Sequence, residues 1–362
     1  MKIVVLGGGI STERHVSLVT ATSVCTALRR KGHQAIFVDL FFGLEDYNGS
    51  LEEAFSSPDG FCREVAVEKT EPDLKKIWET RKYRSKGHLG QNVAEICQLA
   101  DCVFVGLHGL DGEDGKIQAL LELVGVPYTG SGPLASAVAM NKAMTKRVLE
   151  GQGILTPEWR ELIYSEKDID RLTEELPVPC AVKVIDGGSS IGVELPEDRE
   201  ALRRALKRIL KYGNHVIVEE KIHGRELTVP VLGEKALSPI EVIPQQGGEF
   251  DYIAKYQSGE DGGAREVCPA DITEEEDRML RNYAERVQKC LDLRVYSRSD
   301  YILDEEGRVW FLEVNTLPGM TPNSLIPRAA RVAGLNYDEL CEEIVKLSVQ
   351  ENREMNRLLT NS

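Results

Sequence analysis

Apolar and polar positions along the chain follow two alternating periods. Residues 2–6 form a short β-rich run that ends in Gly7-Gly8-Gly9. Beyond a loop, Val16, Val19, Val24, Ala27 and Leu28 recur at roughly helical spacing until Gly32. The run 34–40 predicts a second strand, so the chain opens as βαβ and a parallel sheet is expected. Residues 43–92 are charged and weakly periodic and read as an excursion from that core. A strand over 102–107 rejoins the sheet, and a helix over 116–123 follows. The turn-rich Pro127-Tyr128-Thr129-Gly130-Ser131-Gly132 then closes a first domain.

The remainder predicts a helical stretch over 134–152, strands near 181–184 and 191–194, a helix over 199–212 and a strand over 216–220. A third segment carries further strands, a polar Gly-rich loop, a helix near 274–290, a hairpin and a last helix reaching about residue 347. No internal repeat or low-complexity tract interrupts this order.

Composition narrows the partners. At 362 residues, two or three domains of ordinary size are expected. Asp+Glu number 59 against 44 Lys+Arg, an acidic balance that argues against broad nucleic-acid binding. Any phosphate must therefore be held by a few placed cations and a metal. The eight cysteines include no C-x-x-C pair, so buried free thiols in a reducing compartment are expected rather than zinc. The first apolar run, residues 3–6, is too short for a secretion signal or a membrane span, and a cytoplasmic protein with no membrane partner is expected.

Three glycine-rich loops invite ligands. After Gly7-Gly8-Gly9, Glu13 occupies the last glycine position of a dinucleotide fingerprint, where a carboxylate repels pyrophosphate. That residue suits the ammonium of an amino acid, or simply complements a helix dipole. The loop His108-Gly109-Leu110-Asp111-Gly112-Glu113-Asp114-Gly115 follows a parallel strand, where ligands gather; His108 either faces a site or is a satisfied loop histidine. Asp186-Gly187-Gly188-Ser189-Ser190-Ile191-Gly192 is no Walker loop, being followed by a strand. It reads as a lid whose N–H groups fold over phosphates, with Lys183 supplying a cation, or as a plain flexible hairpin.

The most informative stretch is Tyr296-Ser297-Arg298-Ser299-Asp300-Tyr301-Ile302-Leu303, a turn, then Arg308-Val309-Trp310-Phe311-Leu312-Glu313-Val314-Asn315. A four-residue turn would pair Leu303 with Arg308, Arg298 with Glu313 and Asp300 with Phe311. Alternation then puts Arg298, Asp300, Glu313 and Asn315 on one face. Two carboxylates and an amide are hard oxygen ligands suited to Mg²⁺ on phosphates, with Arg298 beside them for developing charge. A surface Arg–Glu pair is the plainer alternative, and it leaves Asn315 and the following Pro318-Gly319-Met320-Thr321 without a purpose.

Together these motifs, with Ala254-Lys255-Tyr256 and Glu313-Val314-Asn315-Thr316-Leu317-Pro318-Gly319-Met320-Thr321, resemble the D-alanine–D-alanine ligase family of the ATP-grasp superfamily. The likeness covers nearly the whole chain, most weakly over 43–92. It implies an α/β, three-domain ATP-grasp fold: an N-terminal parallel α/β substrate domain (1–130), then two α+β domains that clamp ATP. These are a central lid domain (131–219) and a C-terminal catalytic domain (220–362).

By resemblance, Lys142 and Lys183 meet the ATP phosphates under a lid that includes Ser190. Glu219, Glu220 and Ile222 form the adenine edge, and Glu226 binds the ribose. Asp300, Glu313 and Asn315 hold two Mg²⁺ or Mn²⁺ ions. Glu13 holds the first D-alanine's ammonium with Ser189 and Tyr256, and His108 lies at the same substrate site. Arg298 and the Gly319 N–H stabilise the tetrahedral intermediate. Ser324, the Leu325 N–H and Lys255 receive the second carboxylate or the transferred phosphate.

The implied activity is ATP-dependent formation of D-alanyl-D-alanine through an acyl phosphate, for peptidoglycan precursors, in a homodimer. The same residues admit D-Ala–D-Ser, D-Ala–D-lactate or another dipeptide as product, or a silent ATP- and amino-acid-binding regulator. A nicotinamide dehydrogenase is disfavoured by Glu13. The sequence departs from the family pattern at Val184, Asp186-Gly187, Glu220 and Ser297.

Overall fold

The computed structural model describes residues 1–62, 72–187, 192–244 and 264–360, and these build three sheets. The first is parallel, in the order β2-β1-β3, from β1 (Lys2–Gly7), β2 (Gln34–Asp39) and β3 (Cys102–Val105). Its strands are near-continuous apolar runs because helices cover both faces. Helix α1 (Arg14–Arg30) makes the first crossover, burying Val16, Ala21, Val24, Cys25 and Leu28. The stretch read as an excursion carries α2 (Leu51–Ala54), α3 (Leu74–Thr80) and α4 (Val93–Gln98), and α4 returns Val93, Ile96 and Cys97 to the core. Helix α5 (Lys116–Val124) follows β3.

The single helix expected over 134–152 is two, α6 (Pro133–Met140) and α7 (Lys142–Leu149). Asn141 separates them: its backbone is extended, and its side chain accepts the Met144 N–H at 2.9 Å, capping α7. Ala135, Ala139 and Leu149 pack into the core of the C-terminal sheet, while Ala143 of α7 packs against Ile185 and Ile217 of the central one, so α6 is seated on the C-terminal sheet and α7 between the two.

The second sheet has the order β4-β7-β5-β6, all antiparallel. It comprises β4 (Trp159–Ile163), β5 (Cys180–Val184), β6 (Val193–Glu194) and β7 (His215–Glu220). Helices α8 (Ile169–Glu175) and α9 (Arg199–Ile209) cover the face that carries Cys180, Val182, Val184, Val216 and Val218. Alternation leaves Lys183, Ile217 and Glu219 on the opposite face.

The third sheet contains β8 (Arg225–Leu232), β9 (Lys235–Ala236), β10 (Ile240–Ile243), β11 (Arg265–Val267), β12 (Tyr296–Leu303) and β13 (Val309–Asn315). Its order is β11-β10-β8-β12-β13, with β9 paired to β8. Helix α10 (Glu274–Cys290) starts at a Thr273/Glu276 capping box. It sets Leu280, Ala284 and Val287 against Leu227, Val229, Tyr301, Phe311 and Val314. Helices α11 (Leu325–Val332) and α12 (Tyr337–Thr360) then turn back, and Ile326, Ala330, Leu340, Cys341, Ile344 and Val345 join the core of the first sheet. Among the described residues no helix is long and apolar enough to cross a membrane.

Candidate active site

The β12–β13 hairpin differs from the counted register in two places. Its turn has five residues, with Leu303 paired to Val309, because Asp304 takes the Arg308 N–H on its carboxylate (2.8 Å) and Gly307 adopts φ 77°. A bulge then falls between Asp300 and Tyr301, so Tyr301 faces Phe311 while Asp300 faces Glu313 and Arg298 faces Asn315. The expected Arg298–Glu313, Asp300–Phe311 and Leu303–Arg308 pairings are therefore replaced. Each one-residue slip alone would turn Glu313 and Asn315 into the core, and the two together restore them. Arg298, Asp300, Glu313 and Asn315 do share one face, while Phe311, fully buried, joins the α10 side. Strand β8 adds Thr228 opposite Asp300 and Glu226 opposite Ile302 on that face.

Asp300 is the hub of this surface. Arg298 donates to both of its oxygens, Nε to Oδ1 at 2.9 Å and Nη2 to Oδ2 at 2.8 Å. Thr228 donates to Oδ1 (2.5 Å) and the Asn315 amide to Oδ2 (3.3 Å). The bidentate contact fixes the plane of the guanidinium. Asp300, Glu313 and Asn315 thus form an adjacent, cross-strand set of hard oxygen donors. Two carboxylates and an amide fit Mg²⁺, which completes its shell with water and substrate phosphates.

Facing them is a group of lysines. Lys142 and Lys146 lie four residues apart on one side of α7. Lys142 Nζ is 3.3 Å from Glu313 Oε2 and donates to the Gly187 carbonyl. Lys146, not singled out in the sequence, lies 2.9 Å from Glu219 Oε1, and Lys183 lies 2.6 Å from Glu219 Oε2. Glu219 is 1% exposed, and despite burial the two ammonium groups hold it down to about 2. Burial lowers Lys146, whereas Glu219, Glu313 and Glu226 raise Lys183 above its ordinary value against its own burial. Glu219 therefore organises cations, a role its assignment to an adenine edge did not include. Glu220 is exposed at the end of β7, its N–H donated to the Glu158 carbonyl (2.8 Å), and Ile222 is half-buried just beyond.

At the far end of the hairpin, loops from two domains meet. Glu13 is buried at the start of α1, beside Gly109, where a Cβ would come 2.6 Å from Glu13 Oε2; Gly109 itself has φ 68°. The Ser11 hydroxyl donates to the His108 carbonyl at 2.9 Å. His108 engages protein with both ring nitrogens: Nε2 at 3.0 Å from the Thr20 hydroxyl and Nδ1 at 3.0 Å from the Leu317 carbonyl. Burial lowers its pKa, so the ring is neutral, with Nδ1–H donating to Leu317. The structure thus shows His108 as a satisfied loop histidine, with both ring nitrogens engaged by protein.

Glu113 accepts the Gly109 N–H at 2.8 Å, and burial of its carboxyl, with Glu13 nearby, raises it to about 8. Gly319 lies against Ser324, whose hydroxyl accepts the Thr321 N–H (3.1 Å) at the start of α11, where Leu325 is the first residue. Ser189, Ser190, Lys255 and Tyr256 lie outside the described residues.

Sequence comparison extends these likenesses along the chain. Residues 2–131 match the family model described as D-ala D-ala ligase N-terminus, and residues 148–346 match D-ala D-ala ligase C-terminus. The chain is 39% identical over 349 residues to the D-alanine–D-alanine ligase of Lacticaseibacillus casei, covering 95% of each chain. Among solved structures it is similar to the D-alanine–D-alanine ligase of Bacillus anthracis complexed with ATP. That match has a TM-score of 0.69 and 26% identity, covering 98% of this chain and 99% of that one. The D-Ala:D-Ser ligase of Enterococcus faecalis is similar at a TM-score of 0.72 and 26% identity, covering 96% and 99%. With both halves matched and a relative 39% identical along nearly its whole length, the chain belongs to the D-alanine–D-alanine ligase family.

Proposed function

We propose that this protein joins two D-alanines at the expense of ATP, releasing ADP and phosphate, and so supplies D-alanyl-D-alanine for peptidoglycan precursors in the cytoplasm. The observation that carries the reading is the single face holding Arg298, Asp300, Glu313 and Asn315, with Lys142 beside Glu313 and with Glu13 and Arg298 both within electrostatic reach of His108. A carboxylate oxygen of the first D-alanine attacks the γ-phosphorus, and the bond to ADP breaks. The amine of the second then attacks the acyl carbon, and phosphate departs with the bonding pair as the nitrogen loses its proton.

Glu13 is suited to the first ammonium, and Lys142 and Lys183 to the phosphates, with Glu226 for the ribose and Glu220 and Ile222 beside the base. Arg298 and the Gly319 N–H would stabilise the oxyanion of the second step, where such donors contribute most. Ser324 and the Leu325 N–H offer an anion site at a helix start for the second carboxylate. Asp300, Glu313 and Asn315 would hold Mg²⁺, whose charge would offset that of the phosphates. Ser189, Ser190, Lys255 and Tyr256 would complete the lid and the substrate contacts. Two copies would assemble as a dimer.

The test is ADP and dipeptide formation with D-alanine alone, then with D-serine or D-lactate added, each with and without Mg²⁺. We expect D-alanyl-D-alanine from D-alanine alone and no turnover without the divalent cation. Turnover only with a second, different acid moves the assignment to a mixed product. ATP binding without amino-acid-dependent ADP formation overturns ligase activity altogether.

A further inference from the structure

One more carboxylate lies on the face that holds Arg298 and Asp300. Strand pairing carries it across the sheet: Glu266 of β11 stands opposite Val242, Val242 opposite Glu226, and Glu226 opposite Ile302. Directly paired residues project to the same side, and Ile302 shares its side with Arg298 and Asp300. Glu266 therefore belongs to the catalytic face, on the edge strand, where no step assigned above uses it. Burial pushes its pKa up, and the Arg328 and Arg298 guanidinium groups oppose that push.

Its partner comes from α11. Arg328 Nη2 lies 3.1 Å from Glu266 Oε2, an oxygen buried without a hydrogen bond among the described residues, so the contact is ionic. Arg328 Nε donates to the Asn323 carbonyl at 3.1 Å. One guanidinium thus ties the edge strand to the residue just before Ser324, whose hydroxyl would lie 3.0 Å from a Cβ on Gly319. The apolar side of α11 is committed elsewhere: Ile326 and Ala330 pack in the core of the first sheet.

We propose that Glu266 and Arg328 are positioning residues for the second amino acid: their ion pair holds the start of α11 at the catalytic face, and so fixes Ser324 and the Leu325 N–H where the second carboxylate is received. The inference rests on the ligase reading above and deepens it. Its physical basis is the division of α11 between two units. Apolar packing seats the helix on the N-terminal core, and that force has no direction of its own. The charged pair sets the first turn against the sheet that carries Arg298. The second carboxylate and the attacking amine belong to one small molecule, so a shifted α11 carries the amine away from the acyl carbon.

The role predicts a loss confined to one substrate. Initial rates over a wide range of D-alanine concentration resolve a KM for each amino-acid site. Arg328→Met, which removes the charge and keeps an unbranched stem, should raise the KM of the second site about 10- to 100-fold. The KM of the first site and that for ATP should not change. Glu266→Gln should act in the same way. The double variant should be no worse than either single one, because all three lose the same contact.

Each single variant leaves its partner's charge alone, and such a change can unfold a protein. The double variant leaves neither charge, so its second-site KM decides the question where a single variant does not fold. A merely structural role would lower the thermal midpoint and the active fraction and leave every KM as it was. A folded variant with an unchanged second-site KM overturns the inference. So does a rise shared equally by ATP and both amino acids, or single effects that add in the double variant. Failure of the wild-type protein to make any dipeptide would instead overturn the ligase reading.

Discussion

Glu219 holds two ammonium groups inside the protein, and its neighbours show what the residue scale offers and hides. Lys183 was legible as a cation on the strand entering a glycine-rich loop, whereas Lys142 and Glu219 came only with the family resemblance. Lys146 was legible only in hindsight, as the residue one helical turn beyond Lys142. Glu113 stands inside a loop that the sequence marked, yet its burial beside Glu13 depends on a loop about a hundred residues earlier, and no local pattern carries that. Glu219→Gln takes from Lys146 and Lys183 the carboxylate they share, and breaking such a buried pair costs about 3–5 kcal/mol. Folding depresses Glu219 from 4.5 to about 2, so its stabilisation is present above about pH 4.5 and is lost as pH falls towards 2. The stability gap between wild type and variant, read from urea midpoints, should be full at pH 7 and shrink across that acid window.

At the scale of elements, the strands and the long helix α10 were readable because their apolar periods are unbroken. Register was not. Counting residues assumed the shortest regular turn and an ideal ladder, and the Asp304 side chain and the bulge each added one position. The shared face survived because the two slips cancel, while the place of Phe311 did not: it belongs to the α10 core beside Tyr301, with ring centroids 5.9 Å apart. Phe311→Ala should therefore destabilise the protein by about 3–5 kcal/mol, with the KM for ATP unchanged in the folded fraction. Phe311 on the other face would give the reverse, a raised KM and little change in the thermal midpoint.

For the whole molecule, a parallel α/β unit followed by two α+β units was expected and found, but the allegiance of the connecting helices was not legible. Helix α6 precedes the central sheet yet packs on the C-terminal core through Ala135 and Ala139, and α7 bridges the two, with Leu149 in that core and Ala143 against Ile185 and Ile217 of the central sheet. Lys142 therefore stands between the two units, with Lys183 and Glu219 on the central sheet. A nucleotide held by all of them ties the two units together. Mg²⁺ with ATP at 100 times its dissociation constant should stabilise the protein by about 2.7 kcal/mol, seen as a raised midpoint in thermal scanning. Separate, unshifted transitions for the two units would contradict this bridging.

The return of α12 to the first sheet has a bearing on how the molecule comes to exist. Leu340, Cys341, Ile344 and Val345 complete a core whose other walls are β1, β3 and α1. On the ribosome those walls emerge well before α12, with one side open until it follows. Domains usually fold in order of emergence; here the first to appear is among the last to be finished. Until then its exposed apolar face is a natural place for a chaperone to hold.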